Sequence, residues 1–480
     1  MPPSLLVALP FAAALAALLL PSDRSRPLLL PATASVHLAL TAAALFGRTE
    51  LKSDEWLALD GLGALFLGLI SGLFFVASLY APGYLALRKD RPNRIFCVGL
   101  LGFLGGATLL VLAQHVGLMW VAVEATTLST GPLIYFNRNA RSIEATWKYL
   151  MIGSVGVALA LLGSLFLAYA AYLGKHDASL LFQSLLADAP RLSRPWVRAA
   201  FVFLLVGYGT KMGIAPLHSW KPDAYGEAPG LVGMLLSGGM TSAAFLALLR
   251  VYRVVDAAGE GAFARELMLA LGLLSLATAA VFLVRQRDLK RLLAYSSVEQ
   301  MGILLIGVSI GGVATFGALL HTVNNAFTKG LLFLSVANIH RAYGGKTLDD
   351  VKGALRLLPV SSSLFFAGFV AVTGSPPFGP FLSELTILSG AFAAGRYVVA
   401  AAVLLLLGSI FLGMGGSVLA ALQGPPPEGT SAPAYRDDVS HTLPIFLCLA
   451  VVVLLGVWIP APLRSLLETA ARDLGGGGPR

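Results

Sequence analysis

Long apolar segments make up most of this chain, and their number constrains its fold more than any other feature. Of its 480 residues, 57% are hydrophobic and only 12% are charged, a balance that no soluble domain of this size could hydrate. About 20 consecutive apolar residues cross a bilayer as a helix, because lipid offers no hydrogen bonds to an unpaired backbone. The sequence therefore predicts an all-α integral membrane protein.

We expect about fourteen transmembrane helices, numbered here as segments 1 to 14. They lie near residues 4–21, 28–46, 59–80, 95–113, 117–136, 145–173, 197–218, 228–252, 264–284, 296–311, 313–339, 358–393, 397–421 and 442–463. Segment 7 is interrupted by Gly213 and Pro216, and the centre of segment 12 reads 373-TGSPPFGPFLSEL-385. Proline removes a backbone donor, and the carbonyls it frees are tolerated in a membrane only beside a protein-lined cavity. Two broken helices in corresponding positions indicate internal repeats with sites at their midplanes.

Loop charges predict the orientation. The basic loops 88-RKDRPNR-94, 285-RQRDLKR-291 and 341-RAYGGKTLDDVKGALR-356 follow odd-numbered segments, which places those loops in the cytoplasm and both termini outside. The Pro-rich residues 424–441 then form a cytoplasmic linker. The net charge of +9 belongs to these loops rather than to a nucleic-acid surface, because no basic patch alternates with aromatic residues.

The cysteine pattern and the absence of nucleotide or hydrolase motifs exclude several functions. The only two cysteines, Cys97 and Cys448, are far apart and cannot form the paired motif of a zinc or iron-sulfur site. No glycine-rich nucleotide loop and no serine-nucleophile motif is found. We expect no cofactor, no metal and no catalytic redox centre in this chain.

Two ionisable residues in apolar surroundings are the first candidates for function. Glu124 lies in segment 5 and Lys211 in segment 7 beside the break. A charge at bilayer depth costs roughly 2.5–3.5 kcal/mol or more, so its retention favours a role in ion movement. The alternative for Glu124 is a carboxylate satisfied by Thr126, Thr127 or a neighbouring helix. We expect Glu124 and Lys211 to interact inside the membrane.

A second group lies in segments 11 and 12. His321, Asn325 and Lys329 recur every four residues and form one polar stripe on an apolar helix. The stripe is interpreted as a relay because histidine and lysine titrate, although polar residues also hold helices together in membranes. Glu384 directly follows the break in segment 12 and is weighed in the same way as Lys211.

Two further ionisable residues have equally good structural explanations. Glu299 is a possible relay residue, but near the start of segment 10 it could be a solvated carboxylate paired with Arg291 or Lys290. Lys148 is another possible relay residue, yet its position four residues after Glu144 suits an ordinary helix ion pair.

Several motifs in order resemble a known superfamily. They are 121-VAVEATTLST-130, 209-GTKMGIAPLHSWKPDAYGEAPG-230, 288-DLKRLLAYSSVEQMG-302, 320-LHTVNNAFTKGLLFLSVANI-339 and 374-GSPPFGPFLSELTILSG-390. These motifs resemble the antiporter-like membrane subunits of respiratory complex I, multi-subunit sodium/proton antiporters and group 4 membrane-bound nickel-iron hydrogenases. With 141-RSIEATWKYLMIGSVGVALALLG-163, the chain is most similar to the F-type subunit of hydrogenase 4.

The resemblance implies roles for individual residues. Glu124 and Lys211 match the pair that couples conformational change to proton movement in the family. His321 and Lys329 match its relay, Asn325 stands where many relatives have another histidine, and Glu384 matches the ionisable position of segment 12.

One departure from the family concerns segment 8. Proton-carrying relatives often have a lysine or histidine there, whereas this chain has Ser237, Thr241 and Ser242. A hydroxyl orients water but holds no proton charge at neutral pH. We therefore expect water held by these hydroxyls to bridge the two halves of the route, or the route to be interrupted.

The resemblance also implies a domain organisation with two inverted five-helix repeats. The predicted division is residues 1–90 for segments 1–3, 91–256 for segments 4–8, 257–423 for segments 9–13, 424–441 for the linker, and 442–480 for segment 14 and the tail.

The function implied is proton translocation by a subunit of a redox complex in a bacterial or archaeal cytoplasmic (inner) membrane, with a hydrogenase-type complex first. Its partners would be other membrane and peripheral subunits, the lipid bilayer and protons. The alternatives are a complex I or sodium/proton antiporter subunit, for which sodium is a second coupling ion, and a structural membrane anchor that does not pump. A transporter for an organic solute fits less well, because the polar residues form a chain rather than one pocket.

Overall fold

The computed structural model describes residues 1–47, 54–175, 179–424 and 435–475. Within them the first half of the chain forms these helices: α1 (Pro3–Leu19), α2 (Leu29–Leu45), α3 (Gly61–Ala86), α4 (Arg94–Leu112), α5 (Val116–Ile134), α6 (Ala140–Lys175), α7 (Phe182–Ala187), α8 (Arg194–Met212), α9 (Trp220–Glu227), α10 (Gly230–Met234) and α11 (Thr241–Val255). A π-helical segment, Leu235–Met240, joins α10 to α11, and a second one, Asp256–Glu260, joins α11 to the next helix.

The second half continues in the same way. Its helices are α12 (Gly261–Leu283), α13 (Leu289–Ile310), α14 (Val313–Tyr343), α15 (Ala354–Leu357), α16 (Pro359–Val372), α17 (Gly379–Ala393), α18 (Tyr397–Leu422), α19 (Val439–Val457) and α20 (Ala461–Asp473). The described residues contain no β-strand, only isolated bridges between loops. The predicted all-helical membrane architecture is confirmed.

By length and apolar composition, eight helical segments of the described chain are able to cross a membrane. Two others, Pro3–Leu19 and Pro359–Val372, are apolar but shorter. The chain is therefore a multi-pass membrane protein. The count of fourteen spans, the inverted repeats, the domain divisions and the placement of the termini stay predictions. Residues 425–434 of the predicted linker lie outside the described residues.

Both predicted helix interruptions are present. Helix α8 ends at Met212 because Gly213 takes a left-handed conformation (φ 67°), which glycine adopts without steric cost, and α9 does not begin until Trp220. Helix α16 ends at Val372, and the chain turns through a second left-handed glycine before α17 begins at Gly379. Residues 213–215 of the first interruption are buried, whereas Pro376 and Pro377 of the second are exposed.

Helix α14 is at the centre of the second half of the molecule. It packs against α13, α16, α17 and α19, and nearly all of its residues are buried. In the first half, α6 packs along α8. Because α14 has almost no lipid-facing surface, its polar residues face other helices rather than the bilayer.

The end of the chain differs from the prediction. Segment 14 was expected to run from 442 to 463, but α19 begins at Val439, capped by Asp438, and ends at Val457. Pro460 then separates it from α20. Helix α20 is amphipathic: Leu467 is buried, and Arg464 pairs with Glu468 at 2.9 Å on its exposed side. A pattern with charges on one face cannot continue a membrane span.

Candidate functional site

Lys211 lies in the last turn of α8, one residue before the break that follows Met212. Its side chain is 1% exposed, and its Nζ donates a hydrogen bond to Thr127 Oγ1 on α5 at 2.5 Å. The same Nζ lies 5.5 Å from the centroid of the Tyr149 ring. From the last turn of α8, Lys211 therefore reaches residues of both α5 and α6.

Glu124 lies on α5, three residues before Thr127 and on the same face of that helix. Its buried Oε2 has no hydrogen-bond partner within residues 1–47, 54–175, 179–424 and 435–475. The alternative that Thr126 or Thr127 satisfies this carboxylate is not supported, because both hydroxyls donate to the Val123 carbonyl. Glu124 interacts electrostatically with Lys211. In the described residues the two charged groups form no ion pair within 4.0 Å, so Thr127 is the group that contacts the lysine directly.

The stripe predicted on α14 is wholly buried, since His321, Asn325 and Lys329 are all 0% exposed. Lys329 Nζ donates to Ser296 Oγ on α13 at 2.5 Å. The His321 ring is held on both sides, by Gln300 Oε1 at 2.7 Å and by Ser383 Oγ at 2.9 Å. Helix α14 thus presents its polar face to α13 and α17.

Asn325 differs from its neighbours on the stripe. Among the described residues, neither its Nδ2 nor its Oδ1 has a hydrogen-bond partner. An unpaired buried amide costs about 1–3 kcal/mol for each such group unless water solvates it. Asn325 lies one turn from both His321 and Lys329, so an unsatisfied polar group separates the two titratable ones.

Glu299 is buried on α13, with 1% of its surface exposed, and is three residues from Ser296 on the same helix face. It interacts electrostatically with Lys329. The alternative of a solvated Glu299 paired with Arg291 or Lys290 is wrong, because Arg291 pairs with Asp223 at 2.5 Å and Lys290 donates to a backbone carbonyl.

Glu384 lies on α17, shortly after the second break. It is 8% exposed, and a side chain added at Gly374 would overlap its carboxylate, so the absence of a Cβ at Gly374 makes room for the acid. Its Oε1 is buried and has no hydrogen-bond partner in the part of the chain that the structure describes. Glu384 also interacts electrostatically with Glu299. The structure therefore places it at the far end of a line that runs through α13 and α14.

Lys221 was missed by the sequence analysis. It lies in the first turn of α9, is 0% exposed, and donates to Ser297 Oγ on α13 at 3.0 Å. Because segment 7 was predicted to end near 218 and segment 8 to begin near 228, Lys221 fell in an apparent loop. The signal that could have found it is the break at Gly213 and Pro216, after which the chain can fold back into the protein interior.

The hydroxyls of segment 8 are bonded within their own helix. Ser237, Thr241 and Ser242 are fully buried, and each donates to the carbonyl four residues earlier in its own helix, at 2.6–2.7 Å. This pattern is the usual way in which serine and threonine are satisfied inside a helix. Their hydroxyl protons are therefore used within the helix, so only the oxygen lone pairs are left to hold a water, and the water bridge between the two halves stays a prediction.

Lys148 lies away from the buried line. Its side chain is 43% exposed and forms ion pairs with Glu144 at 2.6 Å and with Asp223 at 2.7 Å. Asp223 also binds Arg291, so the four residues make a charged cluster at one end of the helices. This arrangement is the ordinary ion pair that the spacing from Glu144 predicted.

Together, the helices and the buried residues define a class of protein. It is a multi-pass helical membrane protein that keeps lysines, carboxylates and a histidine in its interior, beside two broken helices. The family described as "NADH:quinone oxidoreductase/Mrp antiporter, TM" matches residues 113–410. The chain belongs to this family, and the resemblance predicted from its motifs is confirmed.

The similar proteins are named as parts of different complexes. The chain is 34% identical over 413 residues to a "Hydrogenase-4 component F homolog" of Methylacidiphilum infernorum (isolate V4), covering 84% of this chain and 85% of that protein. It is 31% identical over 421 residues to "NADH-quinone oxidoreductase subunit N" of Desulforudis audaxviator (strain MP104C), covering 83% and 82%. A chain of the membrane-bound sulfane sulfur reductase, an archaeal respiratory membrane complex, has the same fold, with a TM-score of 0.86, 21% identity, and coverage of 98% and 97%.

Proposed function

We propose that this chain translocates protons as the antiporter-like subunit of a membrane-bound redox complex of the hydrogenase type. The observation that carries the proposal is the buried line that begins at Glu124 and Lys211 and continues through Glu299 and Lys329 to Glu384. Lys211 and Lys329 each contact a hydroxyl group and each interact electrostatically with a carboxylate.

The free-energy cost of burying charged groups supports a functional role for the residues of this line. Burying an ammonium or a carboxylate is expensive, and replacing a buried ion pair by apolar residues is often neutral or stabilising. Stability alone therefore gives little reason to keep such residues in a membrane. Hydroxyl and imidazole groups both donate and accept, so Thr127, Ser296 and His321 have the chemistry needed to pass a proton between charged groups.

The hydrogenase-type assignment rests on the relative that is 34% identical, whose name places it in hydrogenase 4. By this analogy the partners are the other membrane and peripheral subunits of the complex, and electron transfer in those partners drives proton movement. A complex I subunit is the second candidate, supported by the 31% identity to subunit N. Sodium is the second candidate for the coupling ion, since the family description includes Mrp antiporters.

The cellular placement is part of the same proposal. We infer a bacterial or archaeal cytoplasmic membrane, with the basic loops 88–94 and 285–291 inside and both termini outside. The enrichment of lysine and arginine in these loops supports this orientation.

The test has two stages. A tag on this chain should co-purify the other subunits of the complex, whose identity by mass spectrometry decides between hydrogenase and complex I types. The intact complex is then reconstituted in proteoliposomes, and protons moved per electron are measured with and without sodium. We expect Lys211→Ala to abolish proton movement while partner electron transfer continues.

Lys148→Ala is the matched control, because it removes a lysine whose ammonium is in solvent contact and ion-paired. A normal proton yield in Lys211→Ala would contradict the proposal and favour a structural membrane anchor. Equal losses in both variants would point to general damage rather than to the buried line.

A further inference from the structure

Lys221 stands between the two halves of the buried line. The residue before it, Trp220, donates from Nε1 to the carbonyl of Thr210 at 2.9 Å, and Thr210 is the residue before Lys211. The Trp220 ring also packs against Tyr149, with centroids 5.2 Å apart, and Tyr149 is the ring that faces Lys211. These contacts hold the start of α9 against the end of α8.

The other side of Lys221 faces the second half of the line. Ser296 and Ser297 are consecutive residues of α13, and they accept hydrogen bonds from two different lysines: Ser296 from Lys329 at 2.5 Å and Ser297 from Lys221 at 3.0 Å. The charges of Lys221 and Lys329 repel each other through space. Two ammonium groups from separate elements therefore meet on one turn of α13.

The backbone makes room for this side chain. Gly213 has a left-handed φ of 67°, and a Cβ added there would overlap the aliphatic stem of Lys221. In the part of the chain that the structure describes, no carboxylate forms an ion pair with Lys221. An unpaired ammonium in an interior is costly, so Lys221 is poorly explained as a stabilising ion pair.

We propose that Lys221 carries the proton between Lys211 and the α14 stripe, in place of the lysine or histidine that segment 8 lacks. This inference rests on the proposed function. Lys211 Nζ loses one proton, directly or through hydroxyl groups, and the neutral amine of Lys221 gains it. Lys221 then releases its proton to the neutral amine of Lys329, directly or through a hydroxyl group, and repulsion between the two ammonium groups favours only one of them being charged at a time. No electrons move and no co-reactant is needed.

The competing explanation is structural: Lys221 could simply tie α9 to α13 through Ser297, as polar residues do in membrane bundles. Two substitutions separate these roles. Lys221→Met keeps an unbranched side chain but cannot hold a proton. Lys221→Arg still donates to Ser297 but does not release its proton, because the guanidinium stays charged in proteins.

Proton movement and partner electron transfer are measured in proteoliposomes of the whole complex, with Lys211→Ala as the reference. We expect both Lys221 variants to lose proton movement to the level of Lys211→Ala while electron transfer continues. A wild-type proton yield in either variant overturns the inference. If Lys221→Arg alone keeps that yield, the role of Lys221 is the structural one of holding α9 against α13. If Lys211→Ala loses proton movement and Lys221→Met keeps it, only this inference fails. If all three variants pump normally, the proposed function fails as well.

Discussion

Gly153 on α6 controls the position of the Lys211 ammonium. A Cβ added at Gly153 would lie 2.6 Å from Lys211 Nζ and 3.6 Å from Thr127 Cγ2. The new methyl group would thus enter the space where the lysine meets Thr127. Since ordinary non-bonded contacts are about 3.5–4 Å, Gly153→Ala should push the ammonium away by about 1 Å. The hydrogen bond to Thr127, now 2.5 Å, would then be at the limit of a real bond.

The energetic terms of this substitution have opposite signs. Alanine in place of glycine inside a helix gains about 1 kcal/mol, whereas a lost hydrogen bond to a charged group costs about 1.5–3 kcal/mol. The expected net destabilisation is about 0.5–2 kcal/mol, which is small beside the roughly 5–15 kcal/mol typical of folded domains. Proton movement should fall much more strongly, because it depends on where the ammonium is held.

Gly408→Ala is the matched control. Gly408 lies inside α18, and nothing lies within 4 Å of a Cβ built there, so the substitution adds the same methyl group without a neighbour. We would measure thermal unfolding in detergent and protons moved per electron in proteoliposomes for both variants. A folded Gly153→Ala complex that pumps like the wild type would refute the argument that the Thr127 contact positions Lys211 for transfer.

Three further predictions follow from the described contacts. Glu299→Gln and Lys329→Met should each lower thermal stability by about 3 kcal/mol or more, because each leaves a buried charge uncompensated; the double variant should recover part of this loss, and strictly additive losses would show that the two groups do not interact. Ser242→Ala should leave the proton yield unchanged, because its hydroxyl is bonded within its own helix; a lower yield would restore the predicted role for the segment 8 hydroxyls. The purified chain, after stringent washing, should show no absorption from flavin, haem or iron-sulfur clusters. A stoichiometric amount of any of these would contradict the expectation that the chain binds no cofactor.

Local chemistry made parts of the site predictable from sequence. Gly213 and the proline pair at 376–377 mark the breaks because they alter backbone hydrogen bonding whatever surrounds them. His321, Asn325 and Lys329 recur every four residues, and this spacing predicted the polar stripe because residues four apart share a helix face. These features depend on the chain's own covalent geometry, and the structure places them as expected.

Tertiary contacts decided the rest. Lys221 looked like a loop residue because hydropathy assigns each residue by its neighbours in sequence, whereas its burial depends on α13. The assignment of Lys221 could not be made without knowing which helices pack together. The Ser242 bond is different, because its hydroxyl donates to the carbonyl of Gly238 in the same helix, and this local pattern could have been predicted from sequence.

The buried line has a balanced count of charged groups, with consequences for how much it can carry. Its lysines are Lys211, Lys221 and Lys329, and its carboxylates are Glu124, Glu299 and Glu384, so three positive charges face three negative ones once Lys221 has gained its proton and all six groups are ionised. While Lys221 is a neutral amine the line has a net charge of −1, which one arriving proton balances, whereas a second would leave a net charge of +1 in a medium of low dielectric. Electroneutrality therefore favours a stoichiometry of one proton per cycle through this subunit, with each arrival requiring a departure.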